Sequence, residues 1–112
     1  METPRFGLTL DRGSYAETVS LSGEIDFAAS IELRPKIDEI TRNCEGDLLL
    51  DLSQVTFIDS EGIKTLIIAF RRMREKSARA RVVSCSPRAM RVIKLAGADQ
   101  LLMTDHEFAR RS

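Results

Sequence analysis

Five apolar residues commit the middle of the chain to a helix. Ile63, Leu66, Ile67, Phe70 and Met73 fall at i, i+3, i+4, i+7 and i+10, one stripe at helical spacing. Directly before it, the short apolar stretch Val55, Phe57 and Ile58 feeds Asp59-Ser60. Further back, Leu48-Leu49-Leu50 ends at Asp51, a continuous run that suits a strand covered on both faces. Strand segments that pass straight into an amphipathic helix need a layer of helices lying on a sheet.

The flanking segments extend the pattern. Phe6, Leu8 and Leu10 alternate weakly, Arg12-Gly13 reads as a hairpin turn, and Tyr15, Val19 and Leu21 continue on a second strand. After Gly23-Glu24-Ile25-Asp26, helical patterning carries Phe27, Ile31, Leu33, Ile37 and Ile40, with Asp26 as N-cap. Pro35 inside it predicts a kink or a late helix start. Ala80 to Cys85 reads as a strand. Ser86 and Pro87 open a helix that carries Met90, Ile93 and Leu95 and stops at Gly97. Leu101 to Met103 suits a last short strand or turn, and Asp105 to Arg111 a final helical turn or two. The order β-β-α-β-α-β-α-(β)-α predicts one sheet, mostly parallel after its first hairpin.

At 112 residues, 43% apolar and 30% charged, the chain makes one globular domain, residues 1–112. No run of 18 apolar residues exists, so no membrane span is expected. Met1 to Thr9 holds no charged leader with an apolar core, so no secretory signal is expected and the cytoplasm is the default location. The net charge is zero, which argues against direct DNA binding through bulk charge. The two halves differ all the same. Residues 1–60 hold 12 acids and 5 bases, and residues 61–112 hold 5 acids and 12 bases. A fold interleaves its halves, so much of that asymmetry cancels in space.

Little in the chain invites catalysis. There is no G-x-S-x-G elbow, no phosphate loop and no dinucleotide fingerprint. Cys44 and Cys85 are too far apart for zinc spacing and read as small, half-buried residues of a reduced compartment. His106, between Asp105 and Glu107, reads as solvated. Asp38-Glu39 reads as a solvated helix face, and Arg71, Arg72, Arg74 and Lys76 as a solvated basic helix end that suits the helix dipole. No enzyme site, metal site or cofactor is expected.

One segment stands apart: Phe57-Ile58-Asp59-Ser60-Glu61-Gly62-Ile63. In one reading, Asp59 or Ser60 simply caps the helix, contributing about 1 kcal/mol. In the other, Ser60 is an exposed hydroxyl at a helix start, where backbone amides and the dipole accept a phosphate. Gly62, with no side chain, would then let a partner or kinase approach the backbone.

The run from Asp51 to Ile63 resembles the signature of STAS domains, specifically of bacterial anti-sigma factor antagonists. Gly23-Glu24-Ile25-Asp26 resembles that family's turn, Leu33-Arg34 its first-helix pair, and Ser86-Pro87-Arg88 through Leu95-Ala96-Gly97 its late helix. The resemblance covers nearly the whole chain. It implies a small STAS-like α/β domain: a central mixed sheet of four to five strands with about four packed helices.

It also implies a binding module rather than an enzyme. The unmodified form would bind an anti-sigma factor serine kinase and so free a sigma factor. The kinase would phosphorylate Ser60, ending that interaction, and a PP2C-type phosphatase would restore it. Asp59 would be the acid before the phosphoserine, and Asp26 would lie near it. The partner surface would comprise Asp26, Asp59, Ser60, Glu61, Gly62 and Ile63. Glu61 departs from the family's usual Ser or Thr and pre-loads negative charge beside Ser60. The competing expectation is a STAS domain that is not phosphorylated: a scaffold, a regulatory subunit of a membrane transporter, or a nucleotide-sensing module.

Overall fold

A computed structural model describes residues 5–102. Strand β1 (Phe6–Arg12) turns through Gly13 into β2 (Ala16–Ile25), and the two pair antiparallel. Helix α1 (Phe27–Asn43) leads to β3 (Asp47–Ile58), and α2 (Ser60–Glu75) leads to β4 (Ala80–Cys85). Helices α3 (Pro87–Leu95) and α4 (Asp99–Leu102) follow. The sheet order is β1-β2-β3-β4, with β2–β3 and β3–β4 parallel. The strands step across the sheet in one direction, so right-handed crossovers bring α1 and α2 to the same face. That face holds one continuous core, with Val19, Leu21, Leu48, Leu50 and Leu52 under Leu33, Ile37, Leu66, Met73 and Ile93. No described helix is long and apolar enough to cross a membrane.

The two short apolar stretches expected around Leu48 and Val55 are a single strand. Its pairing to β2 shifts register between Ser20 and Ser22 and again between Gly23 and Glu24, each time leaving one extra residue on β3. Alternation therefore breaks inside the strand, with Leu48, Leu50 and Leu52 buried, then Val55 and Ile58. Among the described residues the expected cover on both faces is also absent. Leu49 is only half-buried, between its register partners Thr18 and Arg81, on the face opposite the helices.

Helix α1 runs through Pro35, with neither a late start nor a break. Pro35 removes the bond to the Ile31 carbonyl, and both residues are exposed, so water can take its place. The apolar face of α1 is not the one expected. Ala29, Ser30, Leu33, Ile37 and Thr41 are buried, whereas Phe27 is 60% and Ile31 61% exposed. At about 100° per residue, Ile31 stands roughly 200° round the helix from Leu33.

The last expected strand is helical. Gly97 (φ 74°) closes α3 with paired bonds, Gly97 N–H to Lys94 O at 3.0 Å and Ala98 N–H to Ile93 O at 3.0 Å. The chain then re-enters a helical turn, which buries Leu102. Met103, His106 and the segment Asp105 to Arg111 lie outside the described residues. Both cysteines are free. Cys44 is fully buried rather than half-buried, and Cys85 is half-buried.

Helix α2 ends in the same way as α3, but on a serine. Ser77 takes φ 62° while its N–H bonds Arg74 O at 2.9 Å and the Ala78 N–H bonds Met73 O at 2.9 Å. A side chain in this left-handed conformation is strained, and glycine is not. Ser77→Gly is expected to raise stability by about 0.5–1 kcal/mol, read as a higher urea midpoint with an unchanged slope.

Candidate functional site

The site lies where two neighbouring parallel strands end together. Ile25 of β2 and Ile58 of β3 are register partners, and each is followed by an aspartate that opens a helix. Asp26 caps α1, its Oδ1 accepting from Ala29 N–H at 2.9 Å. Asp59 caps α2, its Oδ1 accepting from Gly62 N–H at 3.0 Å. The other Asp59 oxygen crosses to the neighbouring helix and accepts from Phe27 N–H at 3.1 Å. One carboxylate thus holds the first turns of both helices. Arg5 completes the cluster by donating to Asp26 Oδ2 at 2.6 Å and, through Nε, to Glu24 Oε1 at 2.9 Å.

With Asp59 supplying the cap, Ser60 is left as the first residue of α2, and it is exposed. Among the described residues no hydrogen bond engages its hydroxyl. Glu61 does not stand as bare negative charge beside it. Its Oε2 takes Lys64 Nζ at 3.3 Å and its Oε1 takes an Arg34 guanidinium nitrogen at 3.0 Å. Bonding to Lys64 and then to Arg34 holds the Glu61 carboxyl below its usual range. Arg34 is fixed in turn by Nε donating to Thr65 Oγ1 at 3.1 Å, so this network laces α1 to α2.

Gly62 and Ile63, expected on the partner surface, are buried. Gly62 lies against the end of β2, where an added Cβ would meet the Ile25 carbonyl oxygen at 2.2 Å. Its missing side chain admits the chain's own backbone, not a kinase. Ile63 belongs to the core. The accessible part of the expected surface is therefore Ser60, with Asp26, Asp59 and Glu61 partly exposed around it.

Other residues join them that the apolar patterning placed in the core and not on a surface. Phe27 and Phe57, the latter 49% exposed, line a surface groove with Arg5, Asp26, Asp59 and Arg88. Ile31 stands one turn after Phe27 on α1. The angular offset of Phe27 and Ile31 from the Leu33–Ile37 stripe was the available signal. Three of the charged groups expected to be solvated, Asp38, Arg72 and Lys76, also have partners. Arg72 pairs with Asp38 at 2.9 Å, and Lys76 Nζ donates to the carbonyls of Thr41 at 2.7 Å and Cys44 at 2.6 Å, closing the end of α1.

The STAS domain family matches residues 15–110. The chain belongs to the STAS domain family. Among curated relatives, an anti-sigma F factor antagonist of Paenibacillus polymyxa is 28% identical over 86 residues, which is 75% of this chain and 73% of the relative. Among solved structures, an anti-sigma factor antagonist from Mycobacterium paratuberculosis superposes with a TM-score of 0.79 at 26% identity, covering 100% of both chains. The unphosphorylated form of the anti-sigma factor antagonist SpoIIAA superposes with a TM-score of 0.71 at 20% identity over 82% of each chain, a likeness of fold.

Two expectations follow for this STAS domain. Gly62→Ala drives a methyl group into a backbone carbonyl, so a loss of about 1–3 kcal/mol is expected in urea unfolding. An unchanged midpoint would show that the strand end yields freely.

The second concerns acid. The Ala29 amide, with Arg5, holds the Asp26 carboxyl below its ordinary value, as Lys64 and Arg34 do for Glu61. Lowered folded-state values contribute stability above the ordinary carboxylate range, and it is lost as pH falls through the folded values. The urea midpoint is therefore expected to drop from about pH 5 downward. Asp26→Asn should show a smaller drop over that window, and an equal drop would remove Asp26 from the account.

Proposed function

We propose that this STAS domain is an anti-sigma factor antagonist, a binding module and not an enzyme. Its unphosphorylated form binds an anti-sigma factor serine kinase and frees the sigma factor. Phosphorylation of Ser60 ends that binding, and a PP2C-type phosphatase reverses it. The observation that carries this reading is the exposed hydroxyl of Ser60, at a helix start whose cap Asp59 already provides. A serine there is not needed for capping. Two relatives above 25% identity bear the antagonist name. Phe27, Ile31 and Phe57 are exposed, and Phe27 and Phe57 share a groove with Asp59, apolar area of the kind a protein partner covers.

The charge arithmetic fits a switch. A phosphate adds about −1.5 to −2 charges at neutral pH. Lys64 and Arg34 already hold Glu61, and Arg5 holds Asp26, so the charge a phosphate adds is a net gain and a docked partner meets repulsion and a desolvation cost. A loss of 2–3 kcal/mol weakens binding about 30- to 150-fold.

Incubation with the cognate kinase and ATP, followed by mass spectrometry, should map the phosphate to Ser60 and find none in Ser60→Ala. Modification elsewhere, undiminished in Ser60→Ala, removes the reading. Ser60→Asp should weaken binding to the anti-sigma factor in calorimetry, by less than phosphorylation because it adds a single charge.

A further inference from the structure

Lys64 stands four residues after Ser60 on α2, and its Nζ reaches Glu61 Oε2 at 3.3 Å. A helical side chain leans back over the preceding turn, so the lysine stem runs toward Ser60 and Glu61. Its side chain is 59% exposed and makes no other ion pair among the described residues. It is therefore free to swing between neighbouring acids. Glu61 does not depend on it alone. Arg34 bonds the other Glu61 oxygen and is anchored by Thr65 Oγ1, so Glu61 keeps a counter-charge and α1 stays laced to α2 when the lysine leaves.

An acid four residues before a lysine is the favoured helical ion-pair arrangement. A phosphate on Ser60 would occupy that position with up to twice the charge of Glu61. We propose that Lys64 is the counter-ion of the phosphorylated state: it passes from Glu61 to the Ser60 phosphate while Arg34 retains Glu61. The inference rests on Ser60 being the phosphoacceptor. It adds that the basic group one turn along the helix receives the phosphate, holding it against α2 without moving either helix.

The test needs no kinase. Phosphoserine is installed at position 60 of the full chain during translation, and the phosphate is titrated by phosphorus NMR at low ionic strength. Facing it are Lys64, Glu61, Asp59 and Asp26, with Arg34 and Arg5 behind the acids. A lysine bound to the dianion favours loss of the last phosphate proton. The titration midpoint in Lys64→Met is therefore expected to lie roughly half a pH unit above that of the unsubstituted phosphoprotein, about a threefold change in proton affinity. Lys64→Arg is expected to restore the lower value. Lys64 is exposed, so neither substitution disturbs the core. Equal midpoints in Lys64→Met and the unsubstituted chain overturn the exchange, and so does a Lys64→Arg midpoint that stays with Lys64→Met. Failure here leaves the kinase mapping of Ser60 intact, whereas a kinase that ignores Ser60 removes the switch without altering this titration.

Discussion

The carboxylate of Asp59 is the pivot of this fold. Two parallel strands end side by side, and each must hand its chain to a helix whose first amides lack acceptors. Asp59 meets both needs at once, with one oxygen on Gly62 N–H and the other on Phe27 N–H. Its own amide reaches back to the Ile25 carbonyl at 3.3 Å. That same carbonyl is what Gly62 lies against, so the first turn of α2 can pass this close to β2 only with a residue lacking a Cβ at position 62. The helix start, the strand end and the neighbouring helix are thus fixed by backbone groups and one side chain. Ser60, lying between Asp59 and Gly62 in sequence, has no part in that work and stays available.

Along α1 and α2 the opposed charges of the two halves of the chain meet. Asp38 and the carbonyls at the end of α1 face Arg72 and Lys76, and at the other end the signs reverse, with Arg34 facing Glu61. Exposed pairs of this kind contribute little stability one by one. Their effect is directional. The core between the helices is rich in aliphatic side chains, and such contacts tolerate rotation more readily than an arginine held by both a carboxylate and a hydroxyl, or a lysine seated on carbonyls. The lacing holds α1 in the orientation that turns Leu33 and Ile37 inward and leaves Phe27 and Ile31 outside.

The topology was legible because strong local signals agreed with one another. The Ile63–Met73 stripe, Asp26 and Ser86 as caps and Gly97 as a stop all appear in the structure where their spacing puts them. What could not be read were features set by neighbours distant in sequence. The bulges of β3 exist only relative to β2, so its broken alternation showed in the sequence as two separate apolar stretches. Gly62 looked like an opening for a partner because the Ile25 carbonyl, 37 positions earlier, is invisible from its surroundings in the chain. Glu61 looked like added negative charge because Arg34 lies a whole strand away. In the site, the positions of Asp26, Asp59 and Ser60 were legible, and the environments of Glu61, Gly62 and Ile63 were not.

The proposed phosphate switch needs no change of shape. Phe27 and Phe57 lie in one groove with Asp59, next to Ser60, and a partner gains affinity by sealing them from water. A partner that also covered Ser60 would strip water from its hydroxyl at the modest cost of a neutral group that can find a bond. A dianion at the same place cannot be desolvated so cheaply, and a nearby lysine offsets only part of its charge. The tighter the apolar seal, the larger the difference between the two states. Affinity and sensitivity to phosphate thus rise together, which a rigid site offers and a deformable one loses, because a deformable site can turn the phosphate back into solvent.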